Sequence, residues 1–164
     1  MTPRHLIKSF FVACCFLAMT AGSYAATTNT DPSTTIITTT IISDKLLQAF
    51  KQTFPDAREV KWIEQADRYT VNFKQGDILT KVEYDRDGNF LNSLRYYSEK
   101  NLPVNILCRL QKKYADKTVF GVTEMTNDSS VEYFIKLEDA KYWLTVHSDA
   151  EGNMRVIEKY RKAD

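Results

Sequence analysis

Two stretches of the chain carry the same hydrophobic plan, and that repetition constrains the fold more than any other feature. "SDKLLQAFKQTF" opens on capping-type residues and sets Leu46, Leu47, Phe50 and Phe54 along one helical stripe, which Pro55 ends. "LPVNILCRLQKKY" places Ile106, Leu107, Leu110 and Tyr114 on an equivalent stripe, each sixty residues further on, with Pro103 near its start. After each stripe the apolar spacing changes from the helical period to strict alternation. The first set of expected strands reads "REVKWIE", "RYTVNFK", "ILTKVEY" and "NFLNSLRYY"; the second reads "KTVFGVTEM", "VEYFIKL", "YWLTVHS" and "NMRVIEKY". Gly88 and Gly152, Tyr69 and Tyr133, Val82 and Val146, and Tyr96 and Tyr160 stand sixty-four apart. An internal duplication accounts for this register. The expectation is an α+β fold of two tandem repeats, each a helix packed on a four-stranded antiparallel β-meander, over residues 43–98 and 99–164. A unit of ~60 residues buries only about 60% of its extended-chain surface, so the two are expected to pack on each other.

"YDRDGNF" at 84–90 and "SDAEGNM" at 148–154 fall between expected strands. An Asp-x-Asp-Gly run can open a calcium loop, but such a loop needs further oxygen ligands and a closing bidentate glutamate. After Gly88 the chain offers Asn89, Phe90, Leu91 and Asn92 instead. A hairpin turn with the glycine in a left-handed bulge needs nothing more. In that register Tyr84 faces Phe90, while Val71, Val82, Ile135 and Val146 share the face under the helices. A one-residue slip would turn them all outward. The other alternate side chains make an outer face. Its rows in the second half are Phe134–His147–Arg155, Lys136–Thr145–Ile157 and Glu138–Trp143–Lys159. In the first half they are Thr70–Glu83–Leu91, Asn72–Lys81–Ser93 and Lys74–Leu79–Arg95.

The N-terminus reads as an address. "MTPRHLIK" carries Arg4 and Lys8, "SFFVACCFLAM" is an apolar run too short to span a bilayer, and "TAGSYAA" offers small residues ahead of a cut before Ala26. Residues 1–25 are expected to be a cleaved signal peptide, and 26–42 a Thr-rich leader. Cleavage removes Cys14, Cys15 and His5, leaving Cys108 and His147 as the last of their kinds. No intramolecular disulfide can then form, although an exported protein would permit one. With 20 basic and 21 acidic side chains left and no basic cluster, nothing marks a nucleic-acid partner. No membrane span is expected after cleavage.

"AFKQTFPDAREVKW", then "YTVNF", then "VEYDRDGNF", resembles the PepSY-like family of β-lactamase-inhibitor-like periplasmic proteins, through Phe50, Phe54, Pro55, Ala57, Val60 and Trp62. The resemblance covers essentially the whole chain from Ser43. It implies two tandem α/β units, export and no catalytic activity. The second copy departs from the pattern, with Ala115 where Pro55 stands and nothing that matches Trp62.

Enzymatic constellations are not evident. Cys108 and His147 could form a nucleophile and base, but His147 is expected on the face turned away from the helix that carries Cys108. Asp85 with Asp87, and Asp149 with Glu151, sit at turn tips where turn formation explains them. The scattered His, Cys and carboxylate side chains have no transition-metal spacing, there is no glycine-rich phosphate loop, and no cofactor is expected. What remains is the outer face, where Phe134, Trp143, His147, Arg155 and Ile157 mix aromatics and an arginine with polar residues. That composition suits protein recognition. The reading is a non-catalytic exported binding module, inhibitor-like, whose partner is an unidentified envelope or secreted protein. A second reading is a small-ligand or lipid carrier with its site between the repeats or under a helix. A third, a thiol hydrolase using Cys108, requires an unusually reactive thiol.

Overall fold

The computed structural model describes residues 42–163. The expected signal peptide and all of the Thr-rich leader but Ile42 lie outside the described residues. Within them the chain forms α1 (Asp44–Thr53), β1 (Arg58–Glu64), β2 (Arg68–Gln75), β3 (Ile78–Asp85) and β4 (Phe90–Tyr97). A 3-10 turn at Glu99–Asn101 leads into α2 (Val104–Lys113), followed by β5 (Thr118–Asn127), β6 (Val131–Glu138), β7 (Tyr142–Asp149) and β8 (Met154–Arg161).

The helices start and stop for local reasons. Ser43 caps α1 by accepting the Leu46 amide at 3.3 Å, and Pro55 follows its last turn. Pro103 leads into α2, where a missing N–H costs nothing. Ten residues make a marginal helix in water, so each is held by its buried stripe. Phe50 packs on Val71, Phe73 and Val82, while Ile106 and Leu110 pack on Val122, Ile135, Leu137, Leu144 and Val146.

The β3–β4 and β7–β8 connections are hairpin turns. Asp85 Oδ1 accepts the amides of Asp87 and Asn89 at 2.9 and 2.8 Å, and its Oδ2 accepts the Asn89 side chain. Asp149 takes the Asn153 amide and side chain in the same way. Gly88 and Gly152 adopt φ of 84° and 83°, the left-handed backbone that a side chain disfavours. The aspartates therefore serve the turns.

One expectation is overturned. The molecule is not two repeats each built of a helix on its own four-stranded sheet. Strand β4 pairs antiparallel with β5 from Asn92↔Asn127 to Tyr97↔Val122, so all eight strands form one sheet in sequence order. The described residues are mostly sheet, with two short α-helices. Two separate sheets would leave β4 and β5 with unpaired rows of N–H and C=O groups, which is what sheet edges must otherwise manage. Pairing them satisfies those rows and buries Tyr97 and Val122 together. Residues directly opposite in antiparallel strands share a face, so the registers carry one inner face across the whole sheet and put both helices on it. The opposite face carries neither helix.

Candidate functional site: the outer sheet face

A single row crosses six strands on the outer face. Leu79, Tyr96, Thr123, Phe134, His147 and Arg155 stand opposite one another in turn, from β3 to β8. Leu79, Tyr96 and Arg155 are exposed; Phe134 and His147 are half-buried. The rings of Phe134 and His147 lie 5.3 Å apart, and His147 Nε2 contacts Glu132 Oε2 at 3.1 Å. Tyr97 closes the core, but its neighbour Tyr96, like Tyr160, stays on the outer face and exposed.

A second cluster gathers around Trp143. Glu138 and Tyr160 flank it in register. The Lys162 ammonium lies 4.6 Å from the Trp143 ring and 2.6 Å from Glu138 Oε2. Lys136 lies 5.9 Å from Trp143 and 5.7 Å from Tyr160. These lysines cover the rings with their stems and add cation–π attraction. Phe120 completes the cluster. The β5–β6 register slips between Val119 and Gly121, and Phe120, the extra residue, sets its ring edge-on to Trp143 at 5.0 Å while remaining 68% exposed. Sequence alternation missed it because a bulge breaks the alternation; Gly121 beside it was the available signal.

The five residues expected here are dispersed differently. Phe134, His147 and Arg155 share the long row, and Trp143 anchors the second cluster. Ile157 does not stand opposite Thr145. A bulge in β8 makes it the extra residue, 42% exposed, and Glu158 takes the position, accepting the Thr145 hydroxyl at 2.8 Å. Edge strands are frequent sites of such bulges. The same shift in β4 puts Asn92, Leu94 and Tyr96 where Leu91, Ser93 and Arg95 were expected.

The first half of this face is ionic. Glu83, almost buried, is held by Lys81 Nζ at 2.6 Å, Arg68 Nη1 at 3.0 Å and Asn92 Nδ2 at 3.1 Å. The Lys81 contact chiefly, against burial, holds its carboxyl below the usual range. Cys108 is exposed on α2, on the other side of the sheet from His147, so the two make no nucleophile–base pair. Among the described residues no group of three His, Cys, Asp or Glu side chains is placed to hold a metal, and no helix is long and apolar enough to cross a membrane.

The fold of one sheet with both helices on one face is shared with several solved structures. A BLIP-like protein from Bacteroides fragilis is 22% identical, with a TM-score of 0.53 over 74% of this chain and 89% of that one. A DUF2874 family protein from Bacteroides ovatus is 18% identical, with a TM-score of 0.54 over 73% and 86%. A protein from Bacteroides eggerthii named for the periplasm is 15% identical, with a TM-score of 0.53 over 72% and 87%. A family model described as "Putative beta-lactamase-inhibitor-like, PepSY-like" matches residues 28–91 and 67–155. The chain belongs to that PepSY-like family. No curated protein matches it.

Proposed function

We propose that the protein is an exported, non-catalytic binding module that recognises a protein partner through the outer face of its sheet. Phe134, Trp143, His147, Arg155 and Ile157 are the residues it presents, joined by Phe120. The observation that supports this most directly is the continuous row from Leu79 to Arg155, left uncovered by the helices and flanked by the Phe120–Trp143–Tyr160 cluster. Aromatic and arginine anchors set among polar neighbours carry most of the energy of protein interfaces. Export rests on the N-terminal pattern, and the relative named for the periplasm agrees with it. In the inhibitor-like form of this reading, the partner is an exported enzyme whose active site the face covers.

Affinity capture from envelope extract, wild type against Phe134→Ala/Trp143→Ala, tests the reading. A protein recovered by the wild type and lost with the double variant is expected. Identical recoveries would remove this face as the recognition surface.

A further inference from the structure

The inner face is not wholly covered by the helices. An open cleft of about 370 Å³ lies between the C-terminal end of α1 and strands β3 and β4. Small-molecule sites start at about 300 Å³. The lining is graded along the strands. At the hairpin end Tyr84 stands opposite Phe90, with Val82 next and Phe54 at the helix side. Thr80 stands opposite Arg95 further along, and with Ser93 and Gln75 they make the other end polar.

The polar end holds a buried hydroxyl without a partner. Thr80 is 3% exposed and its Oγ1 has no hydrogen-bond partner, a state that buried hydroxyls rarely tolerate unless something else satisfies them. Ser93 and Gln75 line the same end and are half-buried. Arg95 gives Nη1 to Glu124 Oε1 at 2.9 Å and sets its guanidinium 5.5 Å from the Tyr97 ring centre, with N–H groups beyond that one bond. The second oxygen of Glu124 accepts the Tyr97 hydroxyl, so that carboxylate is engaged at both atoms.

We propose that this cleft binds a small amphiphile with a carboxylate head and an apolar chain. The head lies at Thr80, Ser93 and Arg95, where every hydroxyl and guanidinium can donate to it. The chain runs over Val82, Tyr84 and Phe90. From Thr80 to Tyr84 the strand advances about 13 Å, which suits a medium-length acyl chain. The Thr80 hydroxyl is closed off from solvent as it stands, so donating to the head requires its side chain to turn about the Cα–Cβ bond. The site lies on the opposite face from the recognition row and stands or falls independently of it.

The test is a titration of the ¹⁵N-labelled protein with decanoate below its micellar concentration, followed by amide chemical shifts. A parallel titration uses decyltrimethylammonium, which has the same chain and the opposite head charge. Saturable shifts at Thr80, Val82, Ser93 and Arg95 with decanoate alone are expected. Thr80→Val keeps the shape and removes the hydroxyl. It should weaken decanoate binding about tenfold, as for loss of a hydrogen bond to a charged group, while raising the urea midpoint. Ser93→Leu should fill the cleft and abolish the shifts. No saturable shifts at these amides, an equal response to both heads, or unchanged decanoate affinity in a folded Thr80→Val would each overturn the proposal.

Discussion

The Tyr97 hydroxyl donates to Glu124 Oε2 across the β4–β5 seam, while Arg95, directly opposite Glu124, reaches its Oε1. A nearly buried carboxylate thus ties the two halves of the sheet together. Tyr97→Phe leaves one of its oxygens without a donor, and that should cost about 1–3 kcal/mol of unfolding free energy in urea titrations. Adding Glu124→Gln should change the penalty non-additively, because the two side chains share one bond.

Alkaline stability should report the same contact. Burial first, and the bond to Glu124 second, push the Tyr97 hydroxyl well above its ordinary value of 10.0. Burial raises Tyr84 to about 12. Above the unfolded pKa of about 10 the unfolded chain loses these protons while the folded chain keeps them, so stability falls as pH rises. Below that pH the contribution is fully present. Urea midpoints measured from about two pH units below the ordinary tyrosine value to about one and a half above it should decline above about pH 10 in wild type and decline less steeply in Tyr97→Phe.

A single sheet also predicts a single transition. Trp62 lies in the first half and Trp143 in the second. In Trp143→Phe the remaining tryptophan reports the first half, and in Trp62→Phe it reports the second. Each variant's fluorescence should lose structure at the same urea concentration as its own far-ultraviolet dichroism, as expected for one cooperative unit. Separate fluorescence and dichroism midpoints would show that the halves unfold independently despite the seam.

What was legible in the sequence was local. The Ser43 cap, Pro55, and the turns at Asp85–Asn89 and Asp149–Asn153 depend on residues within a few positions of each other, and alternation put Val71, Val82, Ile135 and Val146 inside. The β4–β5 seam was not legible, because nothing in "NFLNSLRYY" or "KTVFGVTEM" says which other edge each strand will meet. The bulges that expel Leu91 and Ile157 from their rows were equally silent, while the one at Phe120 had only Gly121 beside it as a mark. Each adds one residue to one strand and shifts the register beyond it. Glu83 was expected only as a member of an outer-face row, and nothing in the sequence marked Glu124. Their near-burial depends on Arg68, fifteen residues before Glu83, and Arg95, twenty-nine before Glu124.

The two turn glycines should differ in a way that neighbouring side chains explain. Gly88→Ala pays for a left-handed backbone, about 1–2 kcal/mol, and its new Cβ would meet Leu46 only at an ordinary 3.8 Å. Gly152→Ala bears the same backbone cost, and its Cβ would approach Arg109 Cδ to 2.8 Å, so Arg109 must move. Gly152→Ala should therefore lower the urea midpoint further than Gly88→Ala. In an Arg109→Ala background that excess should disappear.

Phe120 offers a test of the outer face that needs no partner in hand. Its ring covers an edge of Trp143 yet is itself mostly in water, so Phe120→Ala removes little buried area and should change unfolding free energy by no more than about 0.5 kcal/mol. In a Trp62→Phe background, loss of the ring should shift Trp143 emission to longer wavelength as solvent reaches the indole. Lys136 and Lys162 would still lie over it, so the shift should be partial. If recognition runs through this cluster, Phe120→Ala should also reduce recovery of a captured partner with the fold intact, because an aromatic anchor loses both its own contact area and the support it gives Trp143. An unchanged emission maximum would show that Phe120 does not shield Trp143 in solution, and the cluster would then reduce to the indole and its lysines.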